Sequence, residues 1–345
     1  MNLPQPPDRW DIEQITTDRV HAIEAFGFTE RQARFLVTVM LHAGVFVERQ
    51  YCAFANIVHG QKTHDFVRKL IDGKFASAIV TGPVHRGRLI HVQHKRLYAA
   101  IGQVDNRHRK RAELGRLIER VMVLDAVLAD RSVVWLGTEH DKVSCFQRRV
   151  GDRLNVAEFP RLVFGNGPTK TVRYFPDKLP IGIRLREDPV VFIYLVTRPA
   201  PFDFRLFLCR YGELLRALPE WTIQLFAPTS LRKAMPMYLH AVREECASPL
   251  TPAVVEELQW YFRLRRDLEA TAAARSDMRF RRATARFRAP RFRALHRAWE
   301  QQGDTVLWAT RSHVLRDKLA RGVARVEAVE LAHQYLHLSG LVGKA

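Results

Sequence analysis

Apolar residues return at helical spacing early in the chain. Ala33, Leu36, Val37, Met40 and Leu41 share one face, and Gly44 ends the run. Thr29, with Gln32 three positions on, has the form of a capping box at the start of that helix. A second helix is predicted over 48–59, with Tyr51, Phe54, Ala55 and Val58 on one side and Gly60 behind it. A third, over Gln61–Asp72, turns Thr63, Phe66, Val67, Leu70 and Ile71 inward. It leaves Gln61, Lys62, His64, Arg68 and Lys69 outside, and Gly73 closes it. The period then falls to two. Segments 75–81 and 88–93 read as strands on either side of a Gly-Pro turn, 82–87, that carries His85 and Arg86. The Pro-rich opening reads as an extended arm.

Beyond residue 106 the pattern predicts one connecting helix within 107–130, with Leu114, Leu117, Ile118, Val121, Met122, Asp125 and Leu128 as its stripe. Two destinations fit that stripe, a second copy of the chain or the chain's own core. Strands are expected at 133–136, 162–164, 172–175, 190–196 and 221–226, with a helix over 204–218. Ser248, Pro249 and Pro252 mark a boundary, and Thr251 caps a helix with Pro252 in its first turn. Further helices are expected at 305–319 and 323–338. The fold class is therefore α+β and multidomain, divided as 1–106, 107–130, a central α/β domain 131–250 and an Arg-rich helical domain 251–345.

Charge changes the picture. The 345 residues hold 55 Lys and Arg against 36 Asp and Glu, a formal net charge of +19. The excess is spread, with 19 basic against 14 acidic residues in 1–130, 18 against 12 in 131–250, and 18 against 10 in 251–345. A balance of this kind is the usual footprint of a polyanion binder. The longest apolar run, 190–196, is too short to span a bilayer, and the first residues lack the basic start and apolar stretch of a secretory signal. A cytoplasmic, nucleoid-associated protein with no membrane partner is expected. Four dispersed cysteines suggest neither a disulfide framework nor a zinc site.

Three helices followed by a basic hairpin, over about 29–101, resemble the winged helix-turn-helix domains of bacterial transcription regulators. They also resemble the N-terminal domain of replication-relaxation proteins of plasmids and mobile elements. The resemblance implies that the third helix enters the major groove and that the hairpin is a wing on the backbone or in the minor groove. It places Gln61, Lys62, Thr63, His64 and Arg68 at reading positions and His85, Arg86 and Arg88 on the wing, and Lys69 on the same outward face is assigned to DNA with them. A tri-helical core whose hairpin binds protein is the competing reading. Arg107, Arg109, Lys110 and Arg111 form a compact basic cluster after the hairpin and are assigned to phosphate.

Strands and a helix around Phe175-Pro176-Asp177-Lys178 resemble the restriction-endonuclease-like fold, a relative of which follows the winged helix in replication-relaxation proteins. That resemblance implies a metal held by two acids, with a Lys on the following strand. Here strand 190–196 has neither acid nor Lys, and Glu187 and Asp188 precede it. A degenerate, non-cleaving domain is expected, with no catalytic residues, no metal and no cofactor. The alternatives are a metal-dependent nuclease drawing on Glu139, Asp141 and Asp177, and an RNA-binding or adaptor protein.

Two further patterns lead nowhere. Residues 165–171 lack the glycine of a phosphate-binding loop and read as a hairpin turn. His91 and His94 are three apart on a strand, so with His85 they make no zinc site.

Segment 275–297 holds nine arginines and one acid, Asp277, interleaved with Phe280, Phe287 and Phe292. Arg279, Arg281, Arg282 and Arg286 are assigned to the DNA backbone. The competing reading is a solvated face whose aromatics lie in the core. The function expected is sequence-specific binding of double-stranded DNA by a homodimer, as a transcription regulator or mobile-element accessory factor. The central or C-terminal domain would receive a protein partner.

Overall fold

The computed structural model describes residues 11–80, 88–165, 171–177, 179–184, 189–268, 277–333 and 335. Within them the chain is α+β, with mixed sheets and many helices. The expected arm, the turn 82–87 and the centre of the 165–171 turn fall outside the described residues.

The N-terminal unit contains α1 (Ile12–Glu24), α2 (Glu30–His42), β1 (Val45–Phe46), α3 (Glu48–Ala55), α4 (Gln61–Asp72), β2 (Ala76–Val80) and β3 (Arg88–Val92), followed by α5 (Lys95–Ala100). The strands form an antiparallel sheet in the order β1-β3-β2. Both halves of the Thr29–Gln32 capping box are made. α3 stops earlier than its apolar pattern suggests, because Asn56 takes a left-handed conformation (φ 52°) at its end. The core is aromatic. Phe66 of α4 has its ring centroid 4.2 Å from that of Tyr51 and also meets Phe28, Phe35 and Phe46. Each such fully buried side chain stabilises the fold by about 1.5–3 kcal/mol.

α6 (Leu114–Ala129) joins this unit to the rest. Leu117, Ile118, Val121 and Met122 are buried in a cluster with Val45 and Leu89 on one side and Ile193, Leu195 and Phe226 on the other. The stripe therefore packs on its own chain, and the dimerisation role expected of it as one alternative is corrected: this face of α6 is already covered and cannot receive a second copy. Asp125 of α6 takes two hydrogen bonds from Arg49 of α3, both 2.7 Å, and a third from Gln50.

The central sheet has the order β10-β9-β8-β7-β4, from β4 (Val133–Leu136), β7 (Ile181–Arg184), β8 (Val190–Leu195), β9 (Trp221–Ala227) and β10 (Ala324–Glu330). β8, β9 and β10 are parallel, and β7 and β4 run antiparallel to their neighbours. Every residue of β8 and β9 is buried, as expected for strands covered on both faces. α7 (Glu139–Val150) and α8 (Phe202–Ala217) contribute Phe146, Phe207 and Tyr211 to the core around Phe192. β5 (Arg161–Phe164) and β6 (Thr171–Tyr174) form a separate antiparallel hairpin.

α9 (Met235–Val242) follows β9, and then α10 (Pro252–Leu268), α11 (Met278–Arg286), α12 (Pro290–Gln302), α13 (Thr305–Ala309) and α14 (Val314–Ala320). Two expectations are corrected here. The helix over 305–319 is two short helices. The helix over 323–338 is instead β10, because pairing with β9 along seven residues supplies its backbone hydrogen bonds. Buried Arg291 of α12 donates to the Ser248 carbonyl (2.6 Å) and lies 3.7 Å from Glu245, which ties the helical segment to the central domain.

Candidate nucleic-acid interface

α4 is held from behind. Phe66, Val67 and Leu70 sit in the aromatic core, and the Thr63 hydroxyl lies 3.2 Å from the Cys52 sulfur, fully buried. Thr63 is thus a core residue that cannot reach a base edge, which corrects its place among the reading residues. Lys69 is also redirected. Its ammonium donates to the Gly27 carbonyl and sits 4.9 Å from the centroid of Phe28. Gln61, Lys62, His64 and Arg68 remain exposed. Asp65 organises two of them, accepting from Gln61 at 2.8 Å and pairing with Arg68. Gly60 caps the helix without a side chain, and no acid stands in its first turn.

Arg88, at the base of the hairpin, pairs with Glu48 of α3 at 2.7 Å. The other Glu48 oxygen meets His59 Nε2, also at 2.7 Å. Burial alone would raise the Glu48 carboxyl, but His59 and Arg88 outweigh it and hold the group below its ordinary value. His64 completes a set: ligating atoms of Glu48, His59 and His64 lie within 4.8 Å of one another, and this is the group among the described residues that could hold a metal ion. Residue spacing carries no sign of it, since Glu48 stands eleven positions before His59. His85 and Arg86 lie outside the described residues.

The basic cluster after α5 does not act as one. Arg107–Arg109 is a tight turn started by the Asn106 side chain, which accepts from the His108 N–H. Lys110 and Arg111 are exposed, and Arg109 is half-buried, with Nε donating to Val104. Arg107 turns inward to a cleft between the N-terminal unit and the central domain. Burial, then the neighbouring Arg120 and Arg116, push its guanidinium down to about 9. Its assignment to a surface phosphate contact is corrected accordingly.

The Arg-rich segment resolves into two roles. Phe287 and Trp299 are buried with Tyr261 and Phe262, so the aromatics serve the core. Arg279, Arg281, Arg282 and Arg286 of α11 are exposed. Arg279 stacks 3.9 Å from the centroid of Trp260, and Arg286 pairs with Glu257.

The acids of the nuclease alternative are engaged elsewhere. Asp141 is wholly buried and bound by Arg19, Asp177 is paired with Arg210, and Glu139 accepts from the Tyr174 N–H at 3.0 Å. Among the described residues no helix is long and apolar enough to cross a membrane. No family model, no curated protein and no solved structure matches the chain.

Proposed function

We infer that the chain binds double-stranded DNA in a sequence-dependent way, with α4 as the reading element of a winged helix. One observation carries the reading. The apolar face of α4 is locked against α2, α3 and the three-stranded sheet, while Gln61, Lys62, His64 and Arg68 face solvent from a rigid base. Side chains of these types pair with guanine and adenine edges. The net charge of +19 and the exposed arginines of α11 fit a backbone grip. Regulation of transcription or service to a mobile element is the biological role in keeping with the resemblance. Pairing of two copies on a palindromic site belongs to the same proposal, through a surface other than the covered face of α6, as does a protein partner on the central or C-terminal domain.

The test is fluorescence anisotropy on duplexes selected from a random pool. Arg68→Ala is expected to reduce discrimination between selected and random duplexes by about 5-fold or more, in line with about 1–3 kcal/mol per base contact. The double change Arg281→Ala, Arg282→Ala is expected to weaken all duplexes alike and to lower the salt slope by about 0.9 for each phosphate no longer neutralised. Unaltered binding in both variants overturns the assignment of the surface.

A further inference from the structure

The cleft that takes in Arg107 has a volume of about 570 Å³, within the range of small-molecule sites. Its walls come from the end of α2, the Arg107–Arg109 turn, α6 and the edge of the central domain. Three acids line it, and each has an arginine partner, with Oδ2 of Asp177 left buried without a hydrogen bond. Glu119 pairs with Arg116, Asp177 with Arg210, and Asp203 with Arg198. Two cations are left over. Neither Arg107 nor Arg120 forms an ion pair among the described residues, and Nη1 of Arg120 is buried without a hydrogen-bond partner. The buried Lys142 ammonium donates to the carbonyl of Leu179, a residue of the cleft wall, at 3.0 Å; burial first and Arg107 next lower it to about 8 against the pull of Asp141, Asp177 and Glu139.

Half-buried like charges, with the Arg120 Nη1 donor unmet, are unfavourable in a resting fold. They are what a site for a multivalent oxyanion requires, because each guanidinium offers a planar fork of donors to phosphoryl oxygens. Val123, Leu179 and Leu195 add an apolar wall for the remainder of a ligand.

We propose that this cleft binds a small phosphate-bearing anion of nucleotide size, gripped by Arg107 and Arg120. The bound anion bridges the N-terminal unit and the central domain. The phosphate proposed is that of a free molecule rather than of a duplex, because the unmet Arg120 Nη1 donor is shut off from the surface. The proposal stands apart from the reading of α4 and does not require it.

Calorimetric titration of the full chain with pyrophosphate, and separately with ATP, tests this at an ionic strength fixed with sodium chloride. Saturable binding near one per chain is expected, with a melting temperature that climbs as ligand is added. Arg107→Gln and Arg120→Gln should each weaken binding at least 10-fold. The unliganded Arg120→Gln protein should melt no lower than the parent, since repulsion is relieved. Arg120→Lys, which keeps the charge and removes the fork, should also bind more weakly and serves if the glutamine variant does not fold. Titrations that do not saturate, or affinities unchanged in all three variants, overturn the proposal. A duplex arm separates the two sources of phosphate. Loss of duplex binding in Arg107→Gln and Arg120→Gln, with no pyrophosphate binding by the parent, would assign the arginines to DNA and also overturn it.

Discussion

Arg19 on α1 holds both carboxylate oxygens of Asp141 on α7, at 2.8 and 3.0 Å. The same carboxylate accepts from the Thr138 N–H at 3.1 Å, so one side chain caps α7 and anchors the first helix of the chain to the central domain. Burial alone would raise the Asp141 carboxyl, but the Arg19 bonds and charge prevail and hold it below the usual range.

Arg19→Met should therefore destabilise the protein by about 3–5 kcal/mol, because it strands a buried carboxylate. Urea denaturation near pH 7 measures this. The folded value of Asp141 is depressed, so its contribution is present above the unfolded pKa and is lost as pH falls through the folded one. The difference between Arg19→Met and the parent should accordingly shrink in strong acid.

His42 should add to the same loss on acidification, beginning at a higher pH. Burial, followed by the nearby Lys142, lowers its imidazole to about 3. The unfolded chain takes up a proton below about 6.5 while the folded chain does not. Stability should thus decline as pH drops from 6.5 toward 3. His42→Leu should flatten that decline, read as a smaller loss of urea midpoint between about pH 7.5 and pH 5.

Thr63 and Lys69 lie on α4 yet serve the fold. Thr63→Val should reduce stability by about 1 kcal/mol, the worth of a buried hydrogen bond. Lys69→Met should likewise act on stability. Duplex preference should stay as in the parent for both, and a shift in preference would return them to the reading face.

Gly44 ends α2 with φ +72°, and a Cβ there would lie 2.5 Å from the His108 carbonyl oxygen. Gly44→Ala should destabilise by about 2 kcal/mol or more, since left-handed backbone alone accounts for roughly 1–2. It should also weaken pyrophosphate binding, because the displaced turn is the one that carries Arg107.

Local patterns make much of the fold legible. The Thr29–Gln32 box, both ends of α4 and all of β4 follow from caps, glycines and period alone. β7 leaves little trace in the pattern because four residues with a glycine among them, behind Pro180, make a faint strand signal. β10 reads as a helix because Val323, Val326 and Val329 repeat every three residues, and only its neighbour β9 makes it a strand. The exposed face of α4 is readable from helical spacing, but which of its long side chains fold back is not. The phosphate cleft has no sequence signature at all, because His42, Arg107, Arg120 and Asp177 come from four separate stretches.

The parallel pairing of β9 with β10 has a bearing on how the molecule is made. Almost a hundred residues, including the helices α9 to α14, intervene between these adjacent strands. During synthesis the apolar β9 stays an open edge until position 330 has left the ribosome. A nascent chain halted before that point offers a ready template for aggregation. Arrival of β10 thus shields the growing polypeptide from its own kind.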